Sequence, residues 1–302
     1  MRQFQTALEE PPLRAEKDGI TVSACAKLNL SLDVLGRLDG GYHALRMVMQ
    51  SATLCDDVTL EWTGGSELEM RCNFSFLPLD GRNIAIRAAR EFLNAAGLCD
   101  RGLRIRLHKR IPVGAGLGGG SADAAAVLLG LNELTGAPLR PETLAELGLR
   151  VGSDVPYCLH GGTCLAEGRG ELLEPLEPLP DCGIVICKPA FSIRTADLFA
   201  RIDGRHSRIR PDTEGLVQAL RSRDLEGVAR RMYNVFEEVL PPRYGEIVFI
   251  KQALLDVGAL GAVMTGTGSA VFGIFPDAGA ADAAADALTG TVRECFSVRP
   301  VP

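Results

Sequence analysis

Residues 112–126 read PVGAGLGGGSADAAA, and Gly114, Gly116, Gly118, Gly119 and Gly120 fall within seven positions. Every glycine costs backbone entropy on folding, so five this close together would weaken a mere turn. They suit a place where backbone N–H groups must approach a ligand with no Cβ in the way. A hydroxyl (Ser121), a carboxylate (Asp123) and an alanine run follow. A loop that enters a helix aims its free N–H groups and the positive dipole end at one point, which attracts anions, phosphate above all. The loop lacks the Gly-Lys-Ser/Thr ending of a P-loop, so it brings no lysine for the terminal phosphates. It also lacks the acidic partner of a Rossmann fingerprint. The bland alternative is a flexible turn before a helix.

The surroundings suit a strand–loop–helix unit. Residues 103–107 alternate apolar and basic side chains, a half-exposed strand feeding the loop. The helix is expected over 121–135, with Ser121 as N-cap, Asp123 meeting the dipole in the first turn, and Gly136 and Pro138 ending it. Upstream, residues 20–35 read as one or two strands, 58–70 as a strand pair around Gly64-Gly65, and 83–96 as a helix stopped by Gly97. Downstream, helices are expected over 141–150, 195–202, 212–220, 224–230, 245–257 and 278–288. Strands are expected over 183–187, 262–264, 270–275 and 292–298, with turns and strands over 159–173. This mixture is α/β or α+β layering.

At 302 residues and 46% hydrophobic content, two domains can each bury a core. Pro175, Pro178 and Pro180 mark the expected boundary, giving domains over 20–178 and 179–302 behind a loosely held extension over 1–19. The extension has no signal-peptide core, and its Glu9, Glu10, Glu16 and Asp18 argue against a transit peptide. A net charge of −6 excludes a general nucleic-acid coat, and no apolar run approaches a membrane span. Nine cysteines, none in a CxxC pair, point to reduced thiols in a cytoplasmic protein.

Several residues have an ordinary reading and a chemical one. Lys27, in the strand-like AKLNL, would by itself be a solvated edge lysine. Asp154, in GSDVP, would be a helix cap or Asx-turn. Tyr42-His43 after Gly40-Gly41 would be surface residues, and Phe199 a core residue at helical spacing. Gly266, Gly268 and Ser269 in TGTGS would be a hairpin loop. Ser121 at the mouth of a phosphate loop is a cap or a Mg²⁺ ligand, and the two roles can coexist.

Taken in order, AKLNLSLDVLGRLDGGYH, the glycine loop, GSDVPY and MTGTGSAVFGIF resemble the motifs of the GHMP kinase superfamily over residues 20–298. The resemblance implies an α+β two-domain fold, a ribosomal S5 domain 2-like N-terminal domain with a ferredoxin-like C-terminal domain, and both substrates in the cleft between. It is strongest to the branch that phosphorylates the 2-hydroxyl of a cytidine-diphosphate methylerythritol. It implies ATP and Mg²⁺ as cofactors, with ATP held by Pro112, Val113, Gly114, Ala115, Gly116, Leu117, Gly118, Gly119, Gly120, Ser121, Ala122 and Asp123. Lys27 and Asp154 become the catalytic pair. Asn29, Tyr42, His43, Thr195 and Phe199 become the cytidine pocket, and Gly266, Gly268 and Ser269 a turn that closes over the site. The expected partner is a small molecule, not nucleic acid or membrane, and the expected state a monomer or weak homodimer. Rival readings are a mevalonate- or homoserine-type kinase, and a catalytically silent ligand sensor on the same fold.

Overall fold

The computed structural model describes residues 14–16, 19–136, 139–204 and 209–302. Most of the expected extension, residues 1–13 and 17–18, lies outside these, as does Pro138. Within the extension, β1 (Arg14–Glu16) pairs antiparallel with residues 19–21. Two long strands follow, β2 (Gly19–Arg37) and β3 (His43–Trp62), joined by the tight turn at Asp39–Gly41. Then come β4 (Leu68–Cys72), α1 (Ile84–Ala95), β5 (Leu103–His108), α2 (Gly119–Thr135), α3 (Pro141–Val151), α4 (Val155–His160), β6 (Thr163–Gly168) and β7 (Leu172–Pro175). The remainder comprises β8 (Gly183–Lys188), α5 (Thr195–Asp203), α6 (Thr213–Arg221), α7 (Leu225–Arg231), β9 (Tyr233–Asn234), α8 (Glu246–Asp256), β10 (Gly261–Met264), β11 (Val271–Phe275), α9 (Ala278–Leu288), β12 (Glu294–Val298) and β13 (Pro300–Val301).

The strands form two sheets. The first runs β1-β2-β3-β5-β4, with β6 and β13 also on β3, β7 on β6 and β9 on β2. The second is an antiparallel β10-β11-β8-β12 sheet. The strand pair expected over 58–70 is not a hairpin: β5 lies between β3 and β4, antiparallel to one and parallel to the other. The chain from residue 43 to 57 carries no clean alternation because much of β3 is covered on both faces, as continuous burial from Met47 to Ala52 shows. β2 changes character along its length. Residues 20–26 alternate between buried and half-buried, and residues 26–34 are buried throughout. Register shifts at Cys25/Ala26 and Asn29/Ser31 flank Lys27 and Asn29. Such bulges re-aim side chains, and these two, two residues apart, share one face.

Helices α1, α2 and α3 cover the first sheet through a core that includes Phe92, Leu60, Ile105, Val127 and Leu131. The small residues of α2 let it sit close: a Cβ added at Gly130 would stand 2.7 Å from Leu60 Cδ1. A second core joins the sheets, with Leu32 and Met47 beside Val185, Ile193, Phe236 and Met264. A third core, with Ala26, Leu28, Ala115, Leu117, Val263 and Ala270, holds β2, the glycine loop and the β10–β11 turn together. Among the described residues no helix is long and apolar enough to cross a membrane.

The cysteines depart from expectation in one place. Cys25 and Cys55 face each other across β2 and β3, Cα atoms 4.1 Å apart, and form a disulfide. Spacing along the chain carries no sign of it, because strand register alone puts the two opposite one another. The other seven are free, with Cys164, Cys182 and Cys187 buried.

Candidate active site

The glycine loop fills the gap between β5 and α2. Gly118 adopts φ +68° as the N-cap, so α2 starts at Gly119. Ser121 is therefore the third helical residue and not the cap expected. A Cβ added at Gly116 would lie 2.2 Å from the Thr265 carbonyl oxygen, and one at Gly118 2.7 Å from Lys27 Cγ. Only bare backbone fits between these neighbours. The loop is pinned from two sides: the Lys27 N–H donates to the Leu117 carbonyl and the Ala270 N–H to the Ala115 carbonyl, both at 2.9 Å. A cavity of about 410 Å³ runs along Pro112–Gly120, with Ser121 on its wall and Leu77, Pro78 and Ile84 adding an apolar flank.

Asp123 is also placed differently from expectation. It is 4% exposed and turned inward to an ion pair, not facing the dipole in the first turn. Lys109 Nζ donates to Asp123 Oδ2 at 2.6 Å and to Asp56 Oδ2. Asp56 Oδ1 accepts from the Ile111 N–H at 2.8 Å, at the start of the loop. All three side chains are buried. Burial opposes the Lys109 charge, yet Asp123 and Asp56 together raise its pKa. Burial pushes the Asp123 carboxyl up to about 7, against the pull of Lys109 and helped by Asp56. Sequence reasoning misses Lys109 and Asp56, because no local pattern marks them as partners. The loop thus has a lysine behind it, one strand end away, with its Nζ 3.4 Å from where a Gly119 Cβ would sit.

Lys27, Asn29 and Asp154 meet at the far end of the loop. Lys27 is 5% exposed; its Nζ donates to Asn29 Oδ1 at 2.7 Å and lies 3.9 Å from Asp154 Oδ2. Asp154 occupies the N-cap position of α4 but its side chain makes no capping bond, so the carboxylate is left to face Lys27. Asn29 is wholly buried, and its Oδ1 also accepts from the Gly266 N–H at 2.9 Å. It stands with Lys27 and the second glycine turn, apart from the contacts of Tyr42 and His43.

The aromatic residues form a separate wall. His43 stacks on Phe199, centroids 4.4 Å apart, and Phe199 meets Phe236 edge-on. Phe199 is thus both core neighbour and half-buried platform. His43 Nε2 lies 2.8 Å from Asp203 Oδ1, and Arg37 bonds the other oxygen of the same carboxylate. Those two bonds, Arg37 first, hold Asp203 well below the usual carboxylate range. Sequence reasoning misses Asp203 as well, since it sits at the end of α5, 160 residues from His43. Tyr42 is half exposed and lies under the Arg169 guanidinium, 3.7 Å from Cζ to ring centroid, not against Phe199.

The TGTGS turn joins β10 to β11 as a hairpin and packs on everything else. Thr265 Oγ1 donates to the Gly116 carbonyl at 3.3 Å, and Asn234 Nδ2 donates to the Met264 and Gly266 carbonyls at 2.7 Å. Thr267 shares a 2.9 Å hydrogen bond with Thr195 of α5. Ser269 is fully buried and donates to the Phe191 carbonyl at 2.6 Å, so its hydroxyl braces the turn.

Two family profiles match the chain, "GHMP kinases N terminal domain" over residues 83–162 and "GHMP kinases C terminal" over 216–293. The chain is 42% identical over 280 residues to the 4-diphosphocytidyl-2-C-methyl-D-erythritol kinase of Alkaliphilus metalliredigens, covering 93% of this chain and 96% of the relative. A crystal structure of 4-(cytidine 5'-diphospho)-2C-methyl-D-erythritol kinase matches with TM-score 0.79 and 34% identity, covering 93% of this chain and 99% of that one. Homoserine kinase from Cytophaga hutchinsonii matches with TM-score 0.72 at 21% identity, covering 95% and 96%, a likeness of fold alone.

Proposed function

The chain belongs to the GHMP kinases and, within them, to the 4-diphosphocytidyl-2-C-methyl-D-erythritol kinase family, and from that premise we propose that it transfers the γ-phosphoryl group of ATP to the 2-hydroxyl of 4-diphosphocytidyl-2-C-methyl-D-erythritol, a step in non-mevalonate isoprenoid precursor synthesis. The observation that carries the reading is one side chain: the Arg169 guanidinium lies over Tyr42 and donates to Ser153, next to Asp154. In this reading Tyr42 is the platform for a base and Asp154 the carboxylate for a hydroxyl, and the Arg169 side chain spans from one to the neighbour of the other. Mevalonate or homoserine has no base for such a platform.

In this reading the glycine loop and the first turn of α2 cradle the triphosphate, and the apolar flank of the cavity takes the adenosine end. The substrate hydroxyl sits between Asp154 and Lys27. Its oxygen forms the new bond to the γ-phosphorus as the bond to the β,γ-bridging oxygen breaks, ADP leaves, and the hydroxyl proton passes to Asp154. Lys27 stabilises the developing negative charge on that oxygen, and Asn29 and the Leu117 carbonyl fix its position. Tyr42, His43, Thr195 and Phe199 line the cytidine side. Gly266 and Gly268 close the turn over it, and Ser269 braces that turn. Residues 20–178 are assigned to the ATP-binding domain and 179–302 to the C-terminal one, whose β9 and β13 reach back to pair with β2 and β3 of the first.

A divalent ion fits this site. The Ser121 hydroxyl on the cavity wall has no protein hydrogen-bond partner among the described residues, and no cluster of three or more His, Cys, Asp or Glu there could hold a metal by itself. That suits Mg²⁺, which takes one or two protein ligands beside phosphate oxygens and water. Ser121 would hold it, and the ion would neutralise phosphate charge.

Steady-state turnover with ATP and a panel of alcohols tests the proposal. The cytidine substrate should be phosphorylated at the 2-position, with mevalonate and homoserine inert. Turnover of mevalonate without the cytidine compound would overturn it, as would ligand binding with no turnover of any alcohol.

A further inference from the structure

The proposed substrate carries two phosphates between its base and its reacting hydroxyl, and they call for positive charge between Tyr42 and Asp154. Arg169 sits in the turn between β6 and β7, flanked by Gly168 at φ +69° and Gly170 at φ +112°. This turn packs on the catalytic turn: a Cβ at Gly170 would stand 4.0 Å from Asp154 Oδ1 and from the Ser153 carbonyl oxygen. Residue 169 is therefore anchored beside the reacting carboxylate while its side chain extends to Tyr42. The guanidinium is 3.7 Å from the Tyr42 ring centroid, and its Nη2 donates to Ser153 Oγ at 3.4 Å.

Two features set this arginine apart from a surface charge. Its Nε is buried and has no hydrogen-bond partner. Among the described residues, no carboxylate forms an ion pair with it; Glu171, two residues on, accepts from the Arg169 backbone N–H instead. A buried donor without a partner is costly, and a ligand oxygen that reaches it recovers that cost. Guanidinium offers Nε–H and Nη–H as a planar fork, which matches two oxygens of a phosphate group.

Resting on the reading of the substrate above, we propose that Arg169 binds its diphosphate and selects a cytidine diphosphate over a bare cytidine. The position agrees with the connectivity of the ligand. A base on the Tyr42 side and a hydroxyl at Asp154 leave the linking phosphates to cross the space this guanidinium spans. Arg169 touches substrate in this role and takes no proton from it.

Equilibrium binding of CDP and of cytidine to the full-length protein separates charge recognition from base stacking. In Arg169→Gln, CDP affinity should fall about 10- to 100-fold, the loss expected for a charge-assisted pair of hydrogen bonds. Cytidine affinity should change less than about threefold and the KM for ATP should stay at the wild-type value, which also reports that the variant is folded. Arg169→Lys, which keeps the charge but not the fork, should recover part of the CDP affinity. Equal losses for CDP and cytidine would overturn the proposal and leave Arg169 as packing for Tyr42; no loss for either would also overturn it. Wild-type protein that binds neither compound would mean that the substrate reading itself had failed, a result distinct from both.

Discussion

Replacing Asp123 by asparagine keeps the shape of the Lys109–Asp56–Asp123 cluster and removes one titratable group. In the native protein burial pushes the Asp123 carboxyl up to about 7, from an ordinary value of 3.8. Its Oδ1 is buried without a partner, so ionisation there is poorly compensated although Lys109 bonds Oδ2. A carboxyl whose folded pKa lies above its unfolded one binds its proton more tightly in the folded state. Its contribution to stability is complete below the unfolded pKa and is lost as pH rises through the folded one. Across the window from about pH 4.5 to about pH 7.5, that loss comes to about 3 kcal/mol, since each pH unit between the two pKa values is worth about 1.4 kcal/mol.

Urea unfolding at a series of pH values, followed by the fluorescence of the single tryptophan, Trp62, measures this. Other groups titrate over the same range, so the quantity to plot is wild-type stability minus that of Asp123→Asn. That difference should fall by about 3 kcal/mol from the acidic to the alkaline end. A flat difference would mean that Asp123 is ionised throughout in the folded protein and that Lys109 outweighs burial. A difference that rises with pH would reverse the sign and refute the reasoning outright.

Two further outcomes bear on the proposed roles. Asp154→Ala should lower kcat by about 10²–10⁴, the range for losing a positioned general base, with ATP binding kept; turnover near wild type would remove Asp154 from the mechanism. Tyr42→Ala should raise the KM for the cytidine substrate about 10- to 100-fold, as expected for loss of a stacking platform, with the KM for ATP unchanged; equal effects on both would make Tyr42 structural.

The parts of the site that lie within a few residues of one another are legible in the sequence. The glycine loop is one example, since a bare backbone before a helix has few uses and the flanking strand and helix announce themselves by periodicity. The hairpin around TGTGS and the helix begun at Asn83, whose side chain caps Ala85, are others. Where a residue is covered from both sides the pattern fades: nothing local marks residues 43–57 as part of β3, and nothing local slips β5 between β3 and β4. A hydroxyl is the usual helix cap, which favours Ser121 on sequence grounds, whereas a left-handed glycine lets the helix begin two residues earlier.

What the chain alone determined is therefore local: a glycine loop with no lysine inside it that enters a helix, a strand that carries Lys27, a Gly-Ser turn that carries Asp154, and aromatic residues near another turn. Tertiary structure decided which of these face one another. It put Lys109 behind the loop between two buried carboxylates, set Asn29 beside Lys27, tied His43 to Asp203, joined Cys25 to Cys55, and laid Arg169 across Tyr42 toward Asp154. The physical reason is range. Helix caps, turns and glycine strain act over a few residues, whereas strand register and sheet order bring together groups as distant in the chain as Asn29 and Gly266, 237 residues apart, and no local pattern records them.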